Sequence, residues 1–244
     1  MKVEGRNAVA EILKTDKTID RLVVAKGLKD AGANNIINVA RSKGVKINFY
    51  DREVLDRESV TGKHQGFIAE VTDFKYSTVD DIMDYASEKG EPPFIIILDG
   101  VEDPHNLGSV IRVAECAGCH GVIIPERRAA SVNETVVKVS AGAAAHVKVA
   151  RVNNINETID GLKKRGVWVF CSETGGGSVY DANLTGSIAF VIGGEGTGVK
   201  RLTREKCDGI VTLPMFGKVN SLNASVAAGL VAYEYVRQNK CNKQ

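Results

Sequence analysis

Three segments of the 244-residue sequence gather small, polar and charged residues densely enough to suggest ligand chemistry. The first runs Asp99-Gly100-Val101-Glu102-Asp103-Pro104-His105-Asn106-Leu107-Gly108-Ser109 and leads into Val110-Ile111-Arg112. The second is Gly193-Gly194-Glu195-Gly196-Thr197-Gly198. The third runs from Pro214-Met215 through Asn220-Ser221-Leu222-Asn223. A shorter run, Glu173-Thr174-Gly175-Gly176-Gly177, shares their glycine content. Glycine lets a backbone approach a ligand closely and adopt positive φ. A helix start adds free N–H donors. A nucleotide-like ligand is the first chemistry these features imply. Any one of the runs also reads as an ordinary turn, but four of them, each after an apolar stretch, favour a site.

The common phosphate motifs are missing. A GxGxxG through Gly194 and Gly196 would need glycine at position 199, which is Val199, and no G-x4-G-K-[ST] occurs. A plain dinucleotide oxidoreductase and a P-loop NTPase are therefore disfavoured. Cys116 and Cys119 form the one CxxC, with His120 the only nearby histidine, so a zinc site is not expected and both cysteines read as small buried residues.

These segments need strands and helices to hold them. Apolar runs predict strands at Phe94 to Leu98, Gly121 to Ile124, Val167 to Cys171, Ile188 to Ile192 and Ile210 to Leu213. Helices are expected at Leu107 to Ala117, Asn133 to Val139, Ile155 to Arg165, Lys200 to Lys206 and Asn223 to Gln238. Such alternation implies a parallel sheet covered on both faces, with ligands beyond the carboxyl ends of its strands. Residues 1–76 alternate too, with helices at Gly5 to Lys14 and around Ile36 to Ala40. Their strands are Leu22 to Ala25, Val45 to Phe49 and Phe67 to Val71. The two regions flank an acidic stretch, 77–91, where Lys89 stands against five carboxylates, the last of them in the breaker run Gly90-Glu91-Pro92-Pro93. The expected organisation is a small α/β domain over 1–76, an acidic linker over 77–91 with a short helix inside it and a parallel-sheet α/β/α domain over 92–244.

The net charge of +2 excludes a histone-like cation without excluding a local basic face for nucleic acid. Apolar runs such as Phe94 to Leu98 fall far short of the 18 or so residues of a membrane span. The first residues lack the apolar core of a signal peptide. Five scattered cysteines argue against a disulfide framework. A cytoplasmic protein without membrane contact is expected. Aromatic residues at 6% are too few for a base-stacking platform.

Asn106-Leu107-Gly108-Ser109-Val110-Ile111-Arg112, Gly193 to Gly198, and Leu213-Pro214-Met215 with Asn220-Ser221-Leu222-Asn223-Ala224-Ser225-Val226-Ala227 together resemble the three motifs of the SpoU (TrmH) RNA ribose 2′-O-methyltransferases, part of the SPOUT superfamily. Val3 to Val9 and Gly62-Lys63-His64-Gln65-Gly66 are similar to the leader domain of the bacterial members that methylate a guanosine of large-subunit ribosomal RNA. The resemblance implies a ribosomal-protein-like RNA-binding leader and a sheet domain tied in a deep trefoil knot. It implies a homodimer through the knot region, S-adenosylmethionine as methyl donor and no metal. Ribosomal RNA is the implied partner, with tRNA as the alternative. A non-catalytic RNA-binding dimer and a nucleotide-dependent enzyme of small metabolites remain competing classes.

The same resemblance assigns roles. Arg112 would act near the RNA ribose and its phosphate; a guanidinium stays protonated, so holding phosphate is easier for it than acting as a base. Read alone, Arg112 is also a helix-surface salt bridge. Asn106, Ser221 and Asn223 would line the reacting centre, and each is also a natural helix cap. Glu195 would orient Arg112 or a substrate hydroxyl, or else sit solvated in its turn. The donor would lie against Gly193, Leu213 and Leu222, with Thr174, Gly194, Gly196 and Met215 nearby. His105 and His64 are discounted as bases, since neither shows a partner in the sequence. Arg127-Arg128, Lys163-Lys164-Arg165 and Lys200-Arg201-Arg204 are candidate phosphate contacts.

Overall fold

The computed structural model describes residues 1–15 and 17–241; the expected end of the second domain at residue 244 lies outside the described residues. The chain divides into two compact units, Met1–Lys75 and Tyr76–Gln244.

In the first unit a four-stranded mixed sheet has the order β1-β4-β2-β3. Its strands are β1 (Lys2–Glu4), β2 (Thr18–Ala25), β3 (Ile47–Tyr50) and β4 (Phe67–Thr72). β2 pairs parallel to β3 and antiparallel to β4, and β1 adds antiparallel to β4. Side chains alternate across a strand, so Leu22 and Val24 bury against α1 (Arg6–Ile12) and α2 (Ala31–Ser42). Val23 and Ala25 turn the other way and meet Leu55 of α3 (Arg52–Glu58). Asp30 starts α2 by accepting the Ala33 N–H at 2.9 Å. His64 is buried, with Nε2 2.8 Å from Asp56 and Nδ1 accepting the Gly66 N–H, so it holds the turn before β4. β1 and α3 were not foreseen: one is a three-residue edge and the other buries only Leu55.

The second unit carries a six-stranded, wholly parallel sheet in the order β10-β8-β9-β5-β6-β7. The strands are β5 (Phe94–Asp99), β6 (Gly121–Pro125), β7 (Lys148–Val152), β8 (Trp168–Ser178), β9 (Ile188–Gly193) and β10 (Gly209–Thr212). All six residues of β5 are buried, as a central parallel strand requires. Ile95 and Ile97 face one core, which α7 (Ile155–Lys164) closes with Ile155, Ile159 and Leu162. On the other face the Phe94 ring stacks on Tyr235 of α9 (Ala224–Val236) at 3.9 Å between centroids. There α9 packs against α5 (Pro104–Cys116), which in turn crosses α6 (Glu134–Val139). The short α8 (Arg201–Lys206) lies beside α7.

Three expectations change. The acidic stretch carries the short helix expected there, α4 (Val79–Glu88), but that helix packs: its Ile82 is fully buried in the second unit's core. Thr78 and Asp81 make a reciprocal capping box, and the acidic first turn suits the positive end of the helix. The Glu173–Gly177 run is not a turn after a finished strand. β8 pairs with β10 at Cys171, bulges, and resumes pairing at Gly177. Cys119 is buried, and burial pushes its thiol up, but Cys116 is exposed. Among the described residues no helix is long and apolar enough to cross a membrane, and no cluster of His, Cys, Asp and Glu suits a metal ion.

Candidate active site

A cavity of about 680 Å³ opens beyond the carboxyl ends of β9 and β10 and beside the bulge of β8, a size that suits a nucleoside-scale ligand. One wall is bare backbone. A Cβ on Gly193 would lie 2.2 Å from the carbonyl carbon of Gly198, and one on Gly194 would lie 2.0 Å from the Gly100 oxygen. Only glycine permits that approach. The Gly198 N–H donates to the Gly194 carbonyl at 3.1 Å, and the Gly194 N–H donates to the Asp99 carbonyl at 3.0 Å. The buried Asp99 carboxylate accepts the Lys200 N–H at 3.2 Å and pairs with the Lys200 ammonium, which fixes the far end of the turn.

Residues from all three segments then meet. Asn106 Nδ2 donates to Glu195 Oε1 at 2.8 Å. Asn223 Nδ2 donates to Asn106 Oδ1 at 2.8 Å and to Glu195 Oε1 at 2.9 Å. Asn223 Oδ1 meanwhile accepts the Ser225 and Val226 N–H groups and caps α9. Its capping and bridging roles therefore coexist. Asn106 is not a cap, as its alternative reading held. Asp103 takes that role by accepting the His105 N–H at 2.9 Å, and Pro104 begins the helix. Asn106 is thus left inside the first turn, 5% exposed, and aimed at Glu195.

Thr174, Gly193, Gly194, Gly196, Leu213, Met215 and Leu222 all line the cavity, as do Glu195, Ser221 and Asn223. Arg112 does not. Six residues beyond Asn106 on α5, it is turned by about 120° around the helix axis. It is exposed and makes no ion pair or side-chain hydrogen bond among the described residues, so its salt-bridge reading fails. Half of the eight residues in the basic clusters are engaged elsewhere. Lys163 pairs with Asp208, Arg165 with Asp80, Lys200 with Asp99 and Arg201 with Glu205.

Of the lining residues given no role by the sequence, one is charged. Glu173 faces the same cavity, so the wall carries two carboxylates and, among the described residues, no Lys, Arg or His. A phosphate would be repelled there, whereas a nucleoside bearing positive charge is favoured. That corrects the first idea of a nucleotide. It fits S-adenosylmethionine, whose sulfonium and ammonium are both cationic.

Residues 93–233 match the SpoU rRNA Methylase family, and residues 2–77 match the family described as RNA 2′-O ribose methyltransferase substrate binding. The chain belongs to the SpoU rRNA methylase family. Among its SpoU relatives is a protein of Bacillus subtilis (strain 168), YacO, named for the TrmH family of tRNA/rRNA methyltransferases. It is 46% identical over 238 residues, which cover 97% of this chain and 95% of that one. A Staphylococcus aureus (strain MSSA476) protein named for the same family is 41% identical over 239 residues, with coverage of 97% and 95%. Of solved structures, the SpoU methyltransferase AviRb from Streptomyces viridochromogenes, in complex with AdoMet, matches with a TM-score of 0.61 and 26% identity. The match covers 98% of this chain and 90% of AviRb. The A. aeolicus TrmH/SpoU tRNA modifying enzyme matches with a TM-score of 0.56 and 25% identity, over 61% of this chain and 76% of that one.

Proposed function

We propose that the protein transfers a methyl group from S-adenosylmethionine to a ribose 2′-hydroxyl of structured RNA, its target being a guanosine of large-subunit ribosomal RNA. The observation that carries this reading is the Asn106–Glu195–Asn223 cluster at the edge of an acidic cavity with a glycine wall. S-adenosylmethionine supplies the electrophilic methyl. Backbone around Gly193, Leu213 and Leu222 holds the donor, with Thr174, Gly194, Gly196 and Met215 beside it. The trefoil knot of the family fold belongs to this reading.

The reacting hydroxyl must be oriented and lose its proton. Glu195 Oε1 takes both amide donors, which leaves Oε2 without a partner among the described residues and able to accept from that hydroxyl. Ser221 and Asn223 order the same edge. The Arg112 guanidinium, which pairs with no carboxylate among the described residues, binds RNA phosphate.

The active form is a homodimer in this reading. Val226, Leu230 and Tyr233 recur at helical spacing on α9 and are 49%, 41% and 52% exposed. A second copy would bury that stripe through a self-complementary contact. α5 packs against α9, so the interface would also take in the neighbourhood of Arg112. The first unit selects the RNA, and the reaction takes place in the cytoplasm.

The test is methyl transfer from labelled S-adenosylmethionine to unmodified ribosomal RNA and, separately, to tRNA, with mapping of the modified ribose. Label on one guanosine 2′-oxygen of the large-subunit RNA is expected. Label in tRNA alone would keep the chemistry and overturn the substrate. Donor binding without label in either RNA would contradict the reading.

A further inference from the structure

Glu173 is built into the cavity wall by contacts that the proposed reaction leaves unexplained. Its Oε2 accepts the Val199 N–H at 3.1 Å and its Oε1 accepts the Thr174 N–H at 3.0 Å. Its backbone carbonyl accepts the Thr212 hydroxyl at 2.8 Å. The approach again demands glycine, because a Cβ on Gly198 (φ +61°) would lie 2.3 Å from Oε2. The carboxylate is thereby held by N–H groups from both sides of the cavity.

What it lacks is a counter-ion. Elsewhere in the unit, Asp99 pairs with Lys200, Asp160 with Lys206, Asp208 with Lys163 and Glu234 with Arg237. Glu173 pairs with no cation among the described residues. Glu195, the other lining carboxylate, takes only neutral amide donors among the described residues. The negative charge of this wall is left for a ligand to balance.

Methyl transfer changes the ligand's charge. The sulfonium–methyl bond breaks, a carbon–oxygen bond forms to the ribose, and the electron pair stays on sulfur, which becomes a neutral thioether. The hydroxyl proton departs separately. We infer that Glu173 is a specificity-determining residue that makes the cavity prefer the cationic donor to its neutral thioether product. The inference rests on the reading that the donor occupies this cavity. It gives the protein a means of releasing spent donor without moving a lid.

The experiment is calorimetric binding of S-adenosylmethionine, S-adenosylhomocysteine and sinefungin, which carries an ammonium near the sulfonium position, to the full-length protein and three variants. In Glu173→Gln the preference for both cationic ligands over S-adenosylhomocysteine should fall about tenfold, the order expected for one unit charge a few ångströms away in a half-hydrated site. Glutamine can still accept the Val199 N–H through its amide oxygen, and the exposed Thr174 N–H that loses its acceptor turns to solvent. Glu173→Asp retains the charge and should retain the preference even if all three ligands bind more weakly. An unchanged preference in Glu173→Gln, or equal loss in Gln and Asp, would overturn the role of the charge. Thr197→Trp fills the cavity from an exposed rim position and should abolish binding of all three. Unaffected binding there would place the donor elsewhere and overturn both readings, whereas loss there with an unchanged preference in Glu173→Gln would overturn only this one.

Discussion

The Ser59–Thr61 turn of the first unit hangs on one carboxylate, whereas the Gly193–Gly198 turn of the second is held by backbone contact that leaves no room for side chains. Glu4 Oε1 accepts the Val60 N–H at 2.6 Å, and Oε2 accepts the Ser59 hydroxyl at 2.7 Å and both the N–H and the hydroxyl of Thr61. The glycine turn is fixed instead by Gly193 against Gly198 and Gly194 against Gly100. An ionic grip responds to pH and tolerates exchange of its neighbours. A backbone interlock ignores pH and tolerates almost no substitution. The second is the sounder way to hold a ligand whose placement must be accurate, because nothing in it has rotamers to lose.

The comparison breaks most visibly if the units are cut in the wrong place. Deleting residues 1–91 removes α4 and with it Ile82, against which Gly121 packs so closely that a Cβ there would lie 2.4 Å from the Ile82 side chain. Loss of that isoleucine alone costs on the order of 2–5 kcal/mol, so this truncation should be insoluble or melt far below the full chain in a thermal scan. Deletion of 1–75 should leave a cooperative melt.

Next in size is Gly194→Ala. Its methyl would sit 2.0 Å from the Gly100 carbonyl oxygen, which is backbone and cannot swing away. A loss of about 3 kcal/mol in urea denaturation is expected, together with loss of donor binding. Asn223 then separates capping from chemistry. Asn223→Ala should cost about 1 kcal/mol as a lost cap, whereas Asn223→Asp keeps a good cap but sets a carboxylate against Glu195. Both should lower methyl transfer by roughly a hundredfold, and only the alanine variant should melt lower. Equal activity of Asn223→Asp and the natural protein would reduce Asn223 to a cap.

The smallest effect belongs to the first unit. Burial pushes the Glu4 carboxyl up, but hydrogen bonds from Thr61, Val60 and Ser59 outweigh it and bring the group from 4.5 to about 2. A depressed carboxyl stabilises the fold above its ordinary value and loses that contribution as pH falls through the folded one. Amide exchange at Val60 and Thr61 should therefore speed up between about pH 4.5 and 2, while the Gly194 amide stays protected over the same range apart from global unfolding. Parallel loosening of the two turns would erase the contrast.

Much of this was legible in the residues. The five apolar runs of the second unit became strands because long buried β-branched stretches have few other places to go. β7 was missed, since Lys148-Val149-Ala150-Arg151-Val152 is a short edge with two cationic side chains. The three motifs could be read singly, but not their meeting: Asn106 and Glu195 are 89 residues apart, and Asn106 and Asn223 are 117 apart. Asn106 looked like a cap because the Asp103-Pro104 start one turn earlier was passed over. Glu173 stood in a glycine-rich run, but nothing local gave its carboxylate a role, because the Val199 N–H it accepts is 26 residues away.

The central claim is that the donor site is complete within the second unit and that the first only selects RNA. It is tested most directly by calorimetric binding of S-adenosylmethionine to residues 76–244. Affinity within about twofold of the full chain, well under 1 kcal/mol, is the expected result. A folded fragment that binds no donor would contradict the claim.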